Sequence, residues 1–239
     1  MLKAKKSLSQ NFLIDNNISK KILKYTDIQD KKVLEIGPGY GFLTDKILEK
    51  KPKKLILIEK DFNLTLYLKN KYKENKNIIV ICADILKFDL KKFNNLIVIS
   101  NLPYNISTKV ILYLFNFNKN ITEMILMLQK EVAHKFDYKI KNMNKYKFLT
   151  KIVSNYFICF DVSSNVFFPK PKVSSSVVKF KFKKTIYNIE KAKIFSDKIF
   201  RNVRKKITNN IRINNKSPLL GKRVNQLNID ELLNIYNSF

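Results

Sequence analysis

The chain has 239 residues, 45% of them hydrophobic and 12% aromatic, which is enough apolar content to bury a core and excludes global disorder. Its formal net charge of +28 makes a field that attracts polyanions: RNA, DNA or an anionic membrane surface. No apolar run approaches the roughly 18–20 residues that span a bilayer, and the basic first residues lack the apolar segment of a signal peptide. The expectation is a cytoplasmic, monomeric protein with no membrane partner.

From Lys32 to Phe182, short apolar runs alternate with helical patterns. Strands are expected at Val33–Ile36, Leu55–Ile58, Ile78–Cys82, Leu96–Ile99, Met124–Leu128, Ile152–Val162 and Ser175–Phe182, with helices such as Phe42–Lys50 and Asn63–Tyr72 between the early ones. The first four runs are apolar throughout, as parallel strands covered on both faces should be. That rhythm predicts an α/β fold, a doubly wound, Rossmann-like sheet of seven strands. The last two runs leave no room for a helix and are expected to pair antiparallel through the loop around Phe168-Pro169-Lys170-Pro171. Cys82 and Cys159 fall within apolar runs and read as buried free thiols, in keeping with a reducing cytosol.

After Phe182 the pattern changes. Phe195, Ile199, Val203, Ile207 and Ile211 recur every four residues, which predicts one amphipathic helix within residues 189–211. Asn228-Ile229-Asp230-Glu231 reads as a capping box opening a last helix through Tyr236. The division expected is therefore a sheet domain over residues 1–182 and a small helical domain over 183–239. Of the 47 basic residues, 43 are Lys, an excess that drift toward AT-rich codons could produce. The four Arg are more specific: Arg201, Arg204, Arg212 and Arg223 fall within 23 residues. Their planar forks each bond two phosphate oxygens.

Four stretches carry chemistry. Glu35-Ile36-Gly37-Pro38-Gly39-Tyr40-Gly41 follows a strand and precedes a helix, where glycines allow a tight turn and close approach to a ligand. Its G-x-G-x-G spacing disfavours a dinucleotide oxidoreductase. Glu59 and Asp84 stand at the carboxyl ends of the next two strands, beside the switch point where open α/β sheets bind ligands. One carboxylate there can accept both hydroxyls of a ribose, the other the amine of an adenine. Asn101-Leu102-Pro103-Tyr104 ends the fourth strand with an amide acceptor, a fixed turn and an aromatic face for stacking a base. The single His134 has no Cys or carboxylate at ligand spacing, so no metal is expected.

In this order, with Gln10-Asn11-Phe12-Leu13-Ile14-Asp15, Leu128–Ala133, Phe167–Val173 with Ser175, and Phe200-x-x-x-Arg204-Lys205, these stretches resemble the S-adenosylmethionine-dependent ribosomal RNA adenine N6,N6-dimethyltransferases. The resemblance covers nearly the whole chain and is strongest to the branch that modifies two adjacent adenosines in a loop near the 3′ end of small-subunit rRNA. It implies that Asn11, Leu13, Gly37, Gly39 and Asn101 approach the cofactor, with Gln10 nearby. Glu59 would hold its ribose and Asp84 with Ile85 its adenine. Asn101, Leu102, Pro103 and Tyr104 would form the catalytic turn, with Phe167 stacking on the target base. Arg201, Arg204 and Lys205 would contact rRNA in the immature small subunit. Ser9 in place of Gly, and Tyr146-Lys147-Phe148 in place of Tyr-Gly-Arg, depart from the family pattern. Two alternatives stay open: a large-subunit rRNA adenine methylase of the antibiotic-resistance type, which more often reads Asn-Ile-Pro-Tyr, and a non-catalytic nucleic-acid-binding or assembly factor.

Overall fold

The computed structural model describes residues 11–212 and 218–239. In chain order its strands and α-helices are β1 (Phe12–Leu13), α1 (Asn16–Ile22), β2 (Lys32–Ile36), α2 (Phe42–Glu49), β3 (Lys54–Glu59), α3 (Phe62–Lys71), β4 (Ile78–Cys82) and β5 (Leu96–Asn101). There follow α4 (Ser107–Leu114), β6 (Ile121–Gln129), α5 (Lys130–Phe136), α6 (Lys145–Val153), β7 (Ser154–Val162), β8 (Phe167–Phe168), β9 (Ser175–Phe182), α7 (Ile189–Ile199) and α8 (Ile229–Asn237). Among the described residues no helix is long and apolar enough to cross a membrane.

Seven strands form one sheet in the order β4-β3-β2-β5-β6-β9-β7. Strands β2 to β6 run parallel and β9 pairs antiparallel with β6. The inner strands are buried on both faces, Val33, Leu34, Leu55–Ile58 and Leu96–Ile99 among them, which is why they read as unbroken apolar runs. The chain leaves β2 toward β3 and β4, then returns to lay β5 on the other side of β2. The crevice beyond the carboxyl ends of β2 and β5 is thus the switch point of the sheet.

The edge corrects one expectation. Strand β4 has a single neighbour, and each of its residues is half-buried or exposed. Cys82, at its end, is exposed rather than buried, while Cys159 is half-buried and its thiol is pushed up to about 11 by burial. Both cysteines are free. The run beginning at Ile152 is also divided differently: Ile152 and Val153 close helix α6, and the strand starts at Ser154. With Phe148 and Leu149 they make the buried stripe of a helix, a period that the uninterrupted apolar stretch conceals.

The chain separates into two compact units. One holds the described residues up to Ala133 together with Phe157–Phe182; the other holds His134–Tyr156 with Lys183–Phe239. A single division after Phe182 misses the contribution of His134–Tyr156, whose helix α6 belongs with α7 and α8. Phe148 of α6 packs on Phe195 of α7 at 5.1 Å and on Tyr236 of α8 at 5.5 Å between ring centroids. Within this unit Lys147 is buried, and its ammonium donates to the carbonyls of Ile140, Lys141 and Asn142 at 3.0, 2.7 and 3.2 Å. The departure from Tyr-Gly-Arg therefore supplies an internal cap for the loop before α6.

The long helix expected within residues 189–211 stops at Ile199. Beyond it a 3-10 turn (Phe200–Asn202) leads into a bend, and Ile207 donates to the Lys222 carbonyl at 3.1 Å. Phe195, Ile199, Ile207 and Ile211 are buried, but Val203 is 37% exposed, so the four-residue stripe is not one helix face. Like charges four apart (Arg201 and Lys205) and the poor helix formers Asn202, Asn209 and Asn210 favour the break. Helix α8 begins as expected, with both halves of the Asn228–Glu231 capping box formed.

Candidate active site

A cleft of about 1190 Å³, including its solvent-open mouth, lies at the switch point. It is lined by the ends of β1, β2, β3 and β5 and by the loops that follow them. Of the residues singled out from the sequence, Asn11, Leu13, Gly37, Gly39, Glu59, Asp84, Ile85, Asn101, Leu102, Pro103 and Tyr104 all line it. Gln10 lies outside the described residues.

The glycine loop is held by its neighbours. Gly37 donates to the Ile58 carbonyl at 2.9 Å, tying the loop to β3. Gly39 has φ +60°, and a Cβ built there would sit 2.7 Å from the Phe12 ring, so strand β1 can lie against the loop only if the side chain is absent. Phe12 then packs edge-on against Tyr40, with centroids 4.9 Å apart. The N-terminal strand is in this way stapled onto the floor of the cleft, with Asn11 at its rim.

Glu59 is buried and fixed at both oxygens: Gly39 N–H donates to Oε2 at 3.3 Å and Asp61 N–H to Oε1 at 2.9 Å. Burial raises its pKa, and those main-chain donors oppose the rise. Each oxygen retains a lone pair for a pair of hydroxyls. Asp84 caps a turn, accepting from Leu86 N–H on Oδ1 at 3.0 Å, and pairs through Oδ2 with Lys60 at 2.9 Å. The Lys60 hydrogen bond holds its carboxyl below the usual range.

At the end of β5, Asn101 donates from Nδ2 to the Asn11 carbonyl at 2.9 Å. That bond sets the amide so that Oδ1 is the free acceptor, and Oδ1 is buried with no partner. An unsatisfied buried carbonyl costs on the order of 1–3 kcal/mol, so it marks a place for a donor. Next to it, Leu102 N–H is spent on the Met127 carbonyl at 3.3 Å, and Ile106 N–H closes the Pro103 turn at 3.2 Å. The Tyr104 hydroxyl shares a 2.7 Å hydrogen bond with Ser175 Oγ of β9, which fixes the ring; burial raises the phenol pKa.

Four expected residues are elsewhere. Phe167 is 3% exposed and belongs to the hydrophobic core, paired across β1–β8 with Leu13; its neighbour Phe168, on the opposite face of the strand, is 45% exposed. Arg201, Arg204 and Lys205 are exposed residues of the second unit.

Three further residues shape the site. Glu35, which opens the glycine motif, is fully buried and accepts from Thr44 Oγ1 at 2.6 Å; burial pushes its carboxyl up to about 8. Tyr72 donates to the Gly41 carbonyl at 3.2 Å and to Asp45 Oδ1 at 2.6 Å, bracing the far end of the loop. Lys60 is the third. Only its position beside Glu59 could have signalled it.

S-adenosylmethionine fits this donor and acceptor set. The side-chain-free loop can approach a ligand closely, Glu59 offers paired lone pairs, and the Asn101 acceptor is unsatisfied.

Comparison with known proteins agrees. The family model described as ribosomal RNA adenine dimethylase matches residues 1–239. A ribosomal RNA small subunit methyltransferase A from Malacoplasma penetrans is 43% identical over 217 residues, covering 87% of this chain and 78% of its own. One from a Hydrogenobaculum species is 36% identical over 242 residues, covering 100% of this chain and 94% of its own. The crystal structure of the 23S rRNA methyltransferase ErmE superposes with a TM-score of 0.77 over 95% of this chain and 98% of its own, at 20% identity, which speaks for the fold. A family model matched from end to end, with relatives 43% and 36% identical over most or all of the chain, shows that the chain belongs to the ribosomal RNA adenine dimethylase family.

Proposed function

We propose that the protein transfers methyl groups to N6 of two adjacent adenosines in a loop near the 3′ end of small-subunit rRNA, giving N6,N6-dimethyladenosines during maturation of the small ribosomal subunit. It acts as a cytoplasmic monomer on an immature subunit. The observation that carries this reading is the Asn101 Oδ1 acceptor, buried, oriented by the Asn11 carbonyl and lacking a donor. The identity of 43% to a small-subunit enzyme favours the small-subunit substrate over the large.

When bound, S-adenosylmethionine supplies a methyl group on a sulfonium, an electrophile that needs no further activation. The chain's own residues position the nucleophile. An adenine amine has its lone pair delocalised into the ring, and two acceptors on its N–H groups favour the pyramidal, nucleophilic form. Asn101 Oδ1 is one acceptor and the Leu102 carbonyl, aimed by Pro103, is the other. Tyr104, its hydroxyl held by Ser175, offers the ring on which the extruded base stacks. Attack is then governed by proximity and alignment. Each transfer replaces one N–H by N–CH3, the displaced proton passing to solvent; one N–H remains after the first, and a second transfer from a fresh cofactor replaces it. Arg201, Arg204 and Lys205 bind phosphate oxygens of the rRNA backbone.

Incubation with labelled cofactor and immature small subunits should put label into adjacent adenosines. No label in adenosine at any stage of subunit maturation would refute the proposal.

A further inference from the structure

Strand β3 ends at Glu59, and Lys60 and Asp61 follow it, each of the three with a different partner. Glu59 is held by the glycine loop, and Asp61 caps α3 by accepting from the N–H groups of Asn63 and Leu64. Lys60 alone points away from both. Ala83 N–H donates to the Glu59 carbonyl at 3.0 Å, continuing the parallel register in which Glu59 faces Cys82. That register brings Lys60 beside Asp84, and both residues line the cleft.

We propose that Lys60 is a positioning residue of the cofactor site: its ammonium, together with the Leu86 N–H, clamps the Asp84 carboxylate at both oxygens, so that a remaining lone pair is presented to the adenine amine of S-adenosylmethionine. The inference rests on the reading that Asp84 binds the adenine. Lone-pair accounting supports it. A carboxylate has about four acceptor sites, of which Leu86 N–H takes one on Oδ1 and Lys60 Nζ one on Oδ2. With only the cap bond, the group could rotate to put either remaining pair toward solvent. With both, its plane is set before the ligand arrives, and the amine meets an ionised, oriented acceptor. The Lys60 side chain is 62% exposed and that of Asp84 23%, so the pair is screened by salt and its effect is bounded at about fivefold.

Binding of S-adenosylhomocysteine, measured by titration calorimetry on the intact protein, tests the clamp in wild type, Lys60→Met, Asp84→Asn and the double variant. Asn can still cap the turn, and Lys60→Met keeps the apolar stem, so both should fold. Lys60→Met should bind about fivefold more weakly at about 50 mM salt and within about twofold of wild type at about 500 mM. In the Asp84→Asn background the same change should have no effect, because the partner charge is gone. At saturating cofactor, kcat of Lys60→Met should equal that of wild type. Wild-type affinity in Lys60→Met, or an equal loss in the Asp84→Asn background, would overturn the clamp while leaving the adenine role of Asp84 standing. Unchanged affinity in Asp84→Ala, which removes the acceptor that Asp84→Asn keeps, would overturn that role and the clamp with it.

Discussion

Asn101, half-buried with its Oδ1 shielded from solvent, and the buried Glu35 lie at the same crevice and do opposite things with their burial. Asn101 keeps one acceptor unsatisfied at a stability cost, the usual sign of a group reserved for a ligand. Asn101→Ala should lower kcat by about 10²–10³, measured as methyl incorporation at saturating substrates. Glu35 instead holds a proton. Unfolded, a glutamate ionises near about 4.3, whereas folded Glu35 does so at about 8. Between those values the folded state binds the extra proton, so stability falls as pH rises. Thermal melts should show Glu35→Gln gaining on wild type steadily from about pH 5 to about pH 8. Parallel curves would mean that the carboxyl is not buried as a neutral acid. Much of the site was readable at this scale, since Glu59 and Asn101 each end a strand and Asp84 follows one by two residues, each after a plain apolar run. Phe167 was not readable. In a two-residue strand, adjacent phenylalanines face opposite ways, and only the pairing with β1 decides which one enters the core.

Elements differ in how firmly local sequence fixes them. Helix α8 has a complete capping box: Asn228 Oδ1 accepts from Asp230 and Glu231 at 3.0 and 2.9 Å, and Glu231 returns a bond to Asn228 N–H at 3.0 Å. Asn228→Ala should cost about 1 kcal/mol, seen as a lower melting temperature with methyl transfer unchanged. That signal is local, which is why the helix was legible. The stop of α7 at Ile199 was not, because it depends on what the segment after it pairs with. Lys206 bridges to Arg223, a partner 17 positions away that no periodicity points to. The α6–β7 boundary failed for a similar reason: the same apolar residues satisfy a strand or a helix until α7 is there to receive Phe148.

For the molecule as a whole, a charge of +28 suits a polyanionic partner, and under the proposed function the salt dependence of rRNA binding follows the number of phosphates neutralised. Replacing both Arg201 and Arg204 by Ala should weaken binding to small-subunit rRNA at all sequences alike. The slope of log affinity against log salt should fall in magnitude by about 2. Affinity for S-adenosylhomocysteine should be unaffected. If the slope is unchanged, the arginines are not the phosphate contacts. The order β4-β3-β2-β5-β6-β9-β7 could be anticipated as a doubly wound sheet because each inner strand announces itself. The composition of the helical unit could not, because it draws on two separate lengths of chain. The polypeptide crosses between the units after Ala133, after Tyr156 and after Phe182, so they are joined by three covalent threads rather than one. A protease or an engineer cutting at Phe182 would not detach a domain. The cut would strand α6 with the sheet, its Phe148 stripped of Phe195 and Tyr236 and facing water, and the fragment would be the sort that aggregates.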